Sequence, residues 1–170
     1  SVTQRWTRLG AQWQSRDLKA EIETSAQRND QKNRPGARAS VEYYLNDQWT
    51  LLGELAWRAL DTPLRAVAND ITSNSAQFGV RWQRNEQGEW RLMGGMSRFS
   101  DGNKRSFVAL RGKERLYTHP TFWVDAELDL SASKNTKEDR PYFNPRQDLE
   151  IVPSVRLNHV LYQRSDQRLT

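Results

Sequence analysis

The sequence predicts an all-β fold, an antiparallel up-and-down meander that forms part of a transmembrane outer-membrane β-barrel. Three observations carry that prediction. Apolar and polar residues alternate with period two in segment after segment, and no helical period of any length appears. The connections alternate between short and longer ones, as in barrels with tight turns at one rim and longer loops at the other. On the apolar positions, Trp13, Trp49, Trp82, Trp90 and Phe122 each lie within about two to four residues of a short turn.

Nine strands are expected, at 5–15, 18–28, 37–46, 48–60, 74–85, 88–99, 104–116, 121–133 and 148–163. The first carries Trp13 and meets the second at the tight Arg16-Asp17 turn. In the second, Leu18, Ala20, Ile22, Thr24 and Ala26 alternate with Lys19, Glu21 and Glu23. A longer loop is expected at 29–36, on Asn-Asp-Gln-Lys-Asn-Arg-Pro-Gly. The third strand is apolar at the odd positions 37–43 and holds Arg38 and Glu42 between them. After the tight Asn46-Asp47 turn, the fourth places Trp49, Leu51, Leu55, Trp57 and Ala59 on one face, with Glu54 and Arg58 on the other. A long loop, 61–73, leads to the fifth, where Ala76, Phe78, Val80 and Trp82 alternate with Gln77, Arg81 and Gln83. A short turn, Asn85 to Gly88, precedes the sixth, which carries Trp90 and Arg91. Ser100-Asp101-Gly102-Asn103 joins it to the seventh, which holds Arg111 and Lys113. Beyond the Thr118-His119-Pro120 turn, the eighth alternates Phe122, Val124, Ala126, Leu128 and Leu130 with Trp123, Asp125, Glu127 and Asp129. A long loop, 134–147, precedes the ninth. That strand contains Pro153, which requires a bulge or an edge position. A further short turn near Arg164-Ser165-Asp166 would start a tenth strand.

Composition narrows the class. With 170 residues, the chain has room for one domain or a portion of one. Its 26 Lys+Arg and 21 Asp+Glu are spread along the whole length, and 10% aromatic content with seven Trp argues against disorder. A mean hydropathy of −0.92, with no apolar run approaching the ~18 residues of a membrane helix, excludes helical spans. Alternating strands average to polar and escape that exclusion. No cysteine is present, so disulfides, thiolate catalysis and Cys-ligated metals are excluded. The first residues, Ser1-Val2-Thr3-Gln4, carry no signal-peptide pattern.

Each face then has its own reading. Trp13, Trp49, Trp82, Trp90 and Phe122 would form an aromatic girdle at a membrane interface, or else cap one end of a sandwich core. The opposite face carries sixteen charges, from Lys19, Glu21, Glu23, Arg38, Glu42, Glu54, Arg58 and Arg81 through Arg91, Arg111, Lys113, Asp125, Glu127, Asp129, Glu150 and Arg156. So many charges need water, in a hydrated lumen or in bulk solvent. Asp125, Glu127 and Asp129 form an acidic ladder with three open readings: a carboxylate pair for glycoside hydrolysis, a stripe for a cationic ligand, or ion pairs with neighbouring strands. His119 and His159 have no partner at ligand spacing, so no metal site is expected. Nucleophile motifs and phosphate loops are absent, and the cations do not gather into a nucleic-acid stripe. Neither catalysis nor a cofactor is expected.

Four loop motifs add a resemblance. Asp61-Thr62-Pro63-Leu64-Arg65-Ala66, Phe99-Ser100-Asp101-Gly102-Asn103-Lys104-Arg105, Arg115-Leu116-Tyr117-Thr118 and Arg140-Pro141-Tyr142-Phe143-Asn144-Pro145 occur in an order that resembles the barrel of the bacterial poly-β-1,6-N-acetylglucosamine export porins, the PgaA/HmsH family. The likeness covers essentially all 170 residues. It implies a sixteen-stranded outer-membrane barrel preceded by a periplasmic tetratricopeptide-repeat region. It also implies export of partially de-N-acetylated polysaccharide for biofilm formation, with a periplasmic deacetylase as partner through a part of the chain missing here. The ammonium groups of such a polymer would be met by the inward acids Glu21, Glu23, Glu42, Glu54, Asp125, Glu127, Asp129 and Glu150 in many weak contacts. The tetratricopeptide segment and the terminal aromatic residue of a finished barrel are missing, so residues 1–170 are expected to be an excerpt of a longer chain. Competing readings are a general diffusion porin and a soluble carbohydrate-binding β-sandwich.

Overall fold

We describe the protein from a computed structural model that covers residues 5–29, 32–58, 69–160, 162–164 and 167–169. Nine strands follow one another in a single sheet: β1 (Arg5–Gln14), β2 (Leu18–Asn29), β3 (Lys32–Tyr44), β4 (Trp49–Trp57), β5 (Ser73–Asn85), β6 (Gly88–Phe99), β7 (Lys104–Thr118), β8 (Phe122–Asn135) and β9 (Gln147–His159). Spatial order equals chain order, and every neighbouring pair is antiparallel. No helix occurs among the described residues. A separate two-stranded ribbon pairs β10 (Tyr162–Arg164) with β11 (Gln167–Leu169).

The meander and its face alternation are as the sequence predicts, but several boundaries differ. The 29–36 segment is not a long loop. β2 and β3 run out to Asn29 and Lys32, with Pro35 opposite Ala26. The last described β3–β4 pair is Ala37↔Trp57, so Pro35, which has no N–H to donate, lies beyond the described ladder on that side. β4 ends at Trp57 rather than 60, and most of the 61–73 loop lies outside the described residues. β7 runs on to Thr118 through a bulge between Arg115 and Tyr117, where Leu116 is the extra residue. β9 ends at His159, level with Phe122, the first residue of its partner. The expected turn at 165–166 lies outside the described residues, and the short strands on either side of it pair with each other rather than with the sheet. Pro153 sits opposite Leu128 on β9, an edge strand among the described residues.

Almost nothing apolar is buried. Ile71, Phe99 and Tyr142 make up the whole buried apolar cluster among the described residues, and they lie at one rim rather than at mid-sheet. Large apolar side chains instead stand bare on one face, with Leu9 76%, Phe78 63% and Val155 72% exposed. A single sheet with no second layer leaves that face uncovered by protein, which excludes a sandwich core among the described residues. On β4 the face runs from Trp49 to Trp57, about 26 Å along the strand and about 20 Å when tilted by ~40°, close to the height of the apolar band of an outer-membrane barrel.

Candidate functional site

The sheet curves so that its polar face is concave. This hollow of about 630 Å³ is lined from β3 to β9 by Arg38, Glu42, Glu54, Gln77, Arg91, Arg111, Asp129 and Glu150 among others. Register explains why one face gathers the charges. Antiparallel partners point to the same side, and each tight turn hands the parity on to the next strand. Lys19 faces Glu42, Glu23 faces Arg38, Glu54 faces Gln77, Arg111 faces Asp129, Arg115 faces Asp125 and Ser131 faces Glu150. Glu21 joins them through Ser40, and Glu127 through Lys113. All eight predicted acids therefore occupy the concave face.

The sequence does not reveal a row of arginines across the middle of that face. Arg81, Arg91 and Arg111 lie directly opposite one another on β5, β6 and β7. Like charges so placed repel, and each guanidinium turns to an acid. Arg81 reaches Glu42 at 3.3 Å, Arg91 reaches Glu89 at 3.5 Å, and Arg111 bonds Asp129. Only strand register brings these three together, so spacing along the chain carries no signal of the row.

Of the three readings of the acidic ladder, ion pairing describes what the side chains do. Asp125, 1% exposed, accepts hydrogen bonds from Arg115 at 2.8 Å and Asn158 at 3.4 Å, with Lys113 3.5 Å away. Glu127 pairs with Arg156 at 3.3 Å, and Arg115 also lies 5.1 Å over the Trp123 ring. Glu54 is bonded by Arg38 and by Gln77, and Glu23 lies 3.8 Å from Arg8. Glu21 and Glu150 are exposed and show no ion pair among the described residues. Each ladder carboxylate is thus held by a neighbouring cation. Among the described residues no three His, Asp or Glu side chains converge as metal ligands.

At the rim away from the short turns, two of the family-like motifs interlock. Asn103, fully buried, donates to Asn135 and to the Tyr142 hydroxyl, both at 3.1 Å, and accepts from the Lys137 backbone at 3.1 Å. Tyr142 donates to Asp101 at 3.1 Å and stacks on Phe99 with ring centroids 5.1 Å apart. Phe99 shares the parity of Arg91, so the 136–146 loop folds inward over the concave side. Gly102, at φ +82°, makes the tight bend that aims Asp101 and Asn103 together. Burial pushes the Tyr142 phenol above its usual range, and neighbouring Asp101 adds to the effect. The Arg115–Thr118 motif is the β7 bulge. The 61–66 motif lies outside the described residues.

On the convex face, Trp13, Trp49, Trp82, Trp90 and Phe122 stand at one level beside the short turns. Trp49 opposes Trp82 with ring centroids 6.1 Å apart, and Trp82 opposes Trp90. Phe122 stacks between Tyr117 and His159. Tyr117 is a member that period-two reading misses, because the bulge turns it outward. Trp90 lies over Gly112, where an added Cβ would come within 2.5 Å of the ring, and its indole N–H donates to Glu114 at 3.0 Å.

Comparison with known proteins gives this geometry its relatives. A family described as "PgaA membrane beta barrel domain" matches residues 1–170. The poly-beta-1,6-N-acetyl-D-glucosamine export protein of Escherichia coli (strain K12) is 37% identical over 154 residues, which cover 91% of this chain and 19% of that protein. The protein of the same description from Escherichia coli O157:H7 matches to the same extent. A solved structure titled "Bacterial polysaccharide outer membrane secretin" superposes with a TM-score of 0.89 at 36% identity, covering 96% of this chain and 56% of that one. The chain thus spans about a fifth of the length of these curated relatives.

Proposed function

The chain belongs to the PgaA membrane beta barrel domain family, and on that premise we propose that it is part of the wall of an outer-membrane conduit for partially de-N-acetylated poly-β-1,6-N-acetylglucosamine. The observation that supports this most is the division of one sheet into a concave face of paired charges and a convex apolar face banded by aromatics. A polymer of neutral sugars with scattered ammonium groups needs hydrated, multiple, exchangeable contacts rather than one tight site. Glu21 and Glu150 offer open carboxylates to the ammonium groups. Glu23, Glu42, Glu54, Glu127 and Asp129 offer carboxylates that trade an arginine or lysine for a passing ammonium, while buried Asp125 holds the wall through Arg115 and Lys113. The girdle of Trp13, Trp49, Trp82, Trp90 and Phe122 holds the sheet at the headgroup level of the bilayer.

The same reading makes residues 1–170 one portion of a longer barrel, in which the free edges of β1 and β9 pair with further strands. A periplasmic deacetylase supplies the charged polymer and engages the parent protein outside this chain. The chain itself carries no catalytic group in this scheme.

Cysteine scanning of 121–130 in the full-length parent, in membranes, tests the bilayer part. Aqueous maleimide should label 123, 125, 127 and 129, while lipid-borne quenchers should reach probes at 122, 124, 126 and 128. Even positions that stay dry yet never meet a lipid quencher would sink the membrane reading and the export reading with it. For the polymer part, ion current through the reconstituted protein should be blocked by deacetylated oligomers and not by fully acetylated ones. The Glu21→Gln/Glu150→Gln variant should weaken the block roughly threefold or more per acid. Small-solute conductance indifferent to either oligomer would indicate a general diffusion porin.

A further inference from the structure

The ion-paired arginines and lysines of the concave face contrast with bare cations at one end of the convex face. Arg98 shares the outward parity of Met96, Lys104 that of Val108, and Lys134 that of Ala132. All three are exposed, and none has a side-chain hydrogen bond or ion pair among the described residues. Arg98 stands directly opposite Lys104, which places their Cβ atoms about 5 Å apart. Lys134 lies on the next diagonal, opposite Ser106, about 7 to 8 Å from Lys104. Arg58 extends the row to β4. Its guanidinium lies 4.8 Å over the exposed Trp57 ring, and its backbone N–H donates to Asn74, the residue facing Arg98.

Directly opposed like charges destabilise a strand pair, and on the concave face an acid answers every such contact in the arginine row. Here none does. Asp101, the nearest acid in the β6–β7 turn, is held inward by Tyr142 and by Arg140 at 3.6 Å. Glu138 and Asp139 of the next loop form no ion pair with the three. Below the row the outward surface turns apolar at Met96, Val108, Leu149 and Ile151. At the opposite rim, Arg84 is paired with Glu114 at 2.9 Å. A directly opposed pair of bare cations in the strand ladder, Arg98 and Lys104, thus stands at the rim that carries the longer loops.

We propose that Arg98, Lys104 and Lys134 form a binding site for the phosphate groups of an anionic lipid headgroup in the leaflet those loops reach. A lipid anion fits better than a free one because the row sits on the edge of the apolar band. Long cationic side chains there extend their charges to headgroup level while their stems cover apolar surface. The acyl chains of the same lipid would lie along Met96 and Val108. This inference uses the bilayer orientation of the proposed conduit but not its polymer.

The test reconstitutes the full-length parent into nanodiscs of phosphatidylcholine with bisphosphorylated lipid A, and counts retained lipid by native mass spectrometry. The wild type should retain bisphosphorylated lipid A over its dephosphorylated form, and R98Q/K104Q/K134Q should weaken retention roughly tenfold to a hundredfold. R84Q, at the other rim, should leave it unchanged. Heat-modifiable gel mobility reports separately whether each variant is an inserted barrel. Equal retention of the two lipid forms by the wild type overturns the proposal even if the triple variant does not fold. So does full displacement of the lipid by 10-fold molar excess of inorganic phosphate, on the order expected of a simple ion site.

Discussion

At the scale of single residues, the concave face depends on a few buried polar groups. Asp125 satisfies Arg115, Lys113 and Asn158 together. Asp125→Asn should therefore cost about 2 to 3 kcal/mol in urea unfolding from lipid vesicles, less than a fully dry pair because Arg115 keeps some water. An unchanged midpoint would show that Arg115 repairs itself elsewhere. Asn103 holds the rim in the same way, and Asn103→Ala should raise hydrogen exchange across 136–146 by tenfold or more, the equivalent of about 1.4 kcal/mol or above. Protection identical to wild type would refute that hub. The sequence makes the inward acids legible because period two survives every tight turn. Partner identity is a different matter. The Arg81–Arg91–Arg111 row and the grip of Lys113 on Asp125 need register, and register is set between strands rather than along them.

At the scale of elements, strand existence was readable and strand ends were not. Pro35 and Gly36 look like loop residues, yet they lie in β3, paired with Ala26 and Ser25 of β2. The β7 bulge is equally invisible to alternation, because Leu116 adds one residue and shifts Tyr117 to the outer face. The 136–146 loop gives a pH prediction. Since burial holds the Tyr142 phenol above its ordinary value, the docked loop binds that proton more tightly than the undocked loop does. Docking is complete below about pH 10 and is lost as pH climbs through the raised value. Exchange in 136–146 should rise over that alkaline window in the wild type. Tyr142→Phe should abolish the dependence at a cost of about 1 to 2 kcal/mol, for the bonds to Asn103 and Asp101. A flat wild-type profile would show that the phenol does not hold the loop.

At the scale of the whole molecule, the apolar convex face dictates the environment. Nothing in the described chain covers Leu9, Ile22, Leu55, Phe78 or Val155, and lipid is the solvent that such a banded surface matches. This was the part of the fold most legible in sequence, because composition, alternation and aromatic placement all point to it. Curvature was not legible, since it arises from accumulated twist, bulges and register rather than from any one residue. Arginine substituted for Phe78 at mid-band should cost about 2 to 4 kcal/mol of folding stability in vesicles, whereas the same change at Gln77 on the concave side should cost little. Equal effects at the two positions would mean that both faces meet the same medium.

The reach of β2 and β3 past the last described β3–β4 pair also bears on how cells are recognised. Residues 32–36 pair with β2 and extend about 16 Å along the strand beyond the last described β3–β4 pair. With the short turns facing the periplasm, this ribbon belongs to the outer rim, within reach of an antibody or a phage tail fibre. A peptide tag placed between 30 and 31 should stain on intact bacteria, and a tag placed between Glu86 and Gln87 should stain only after the envelope is opened.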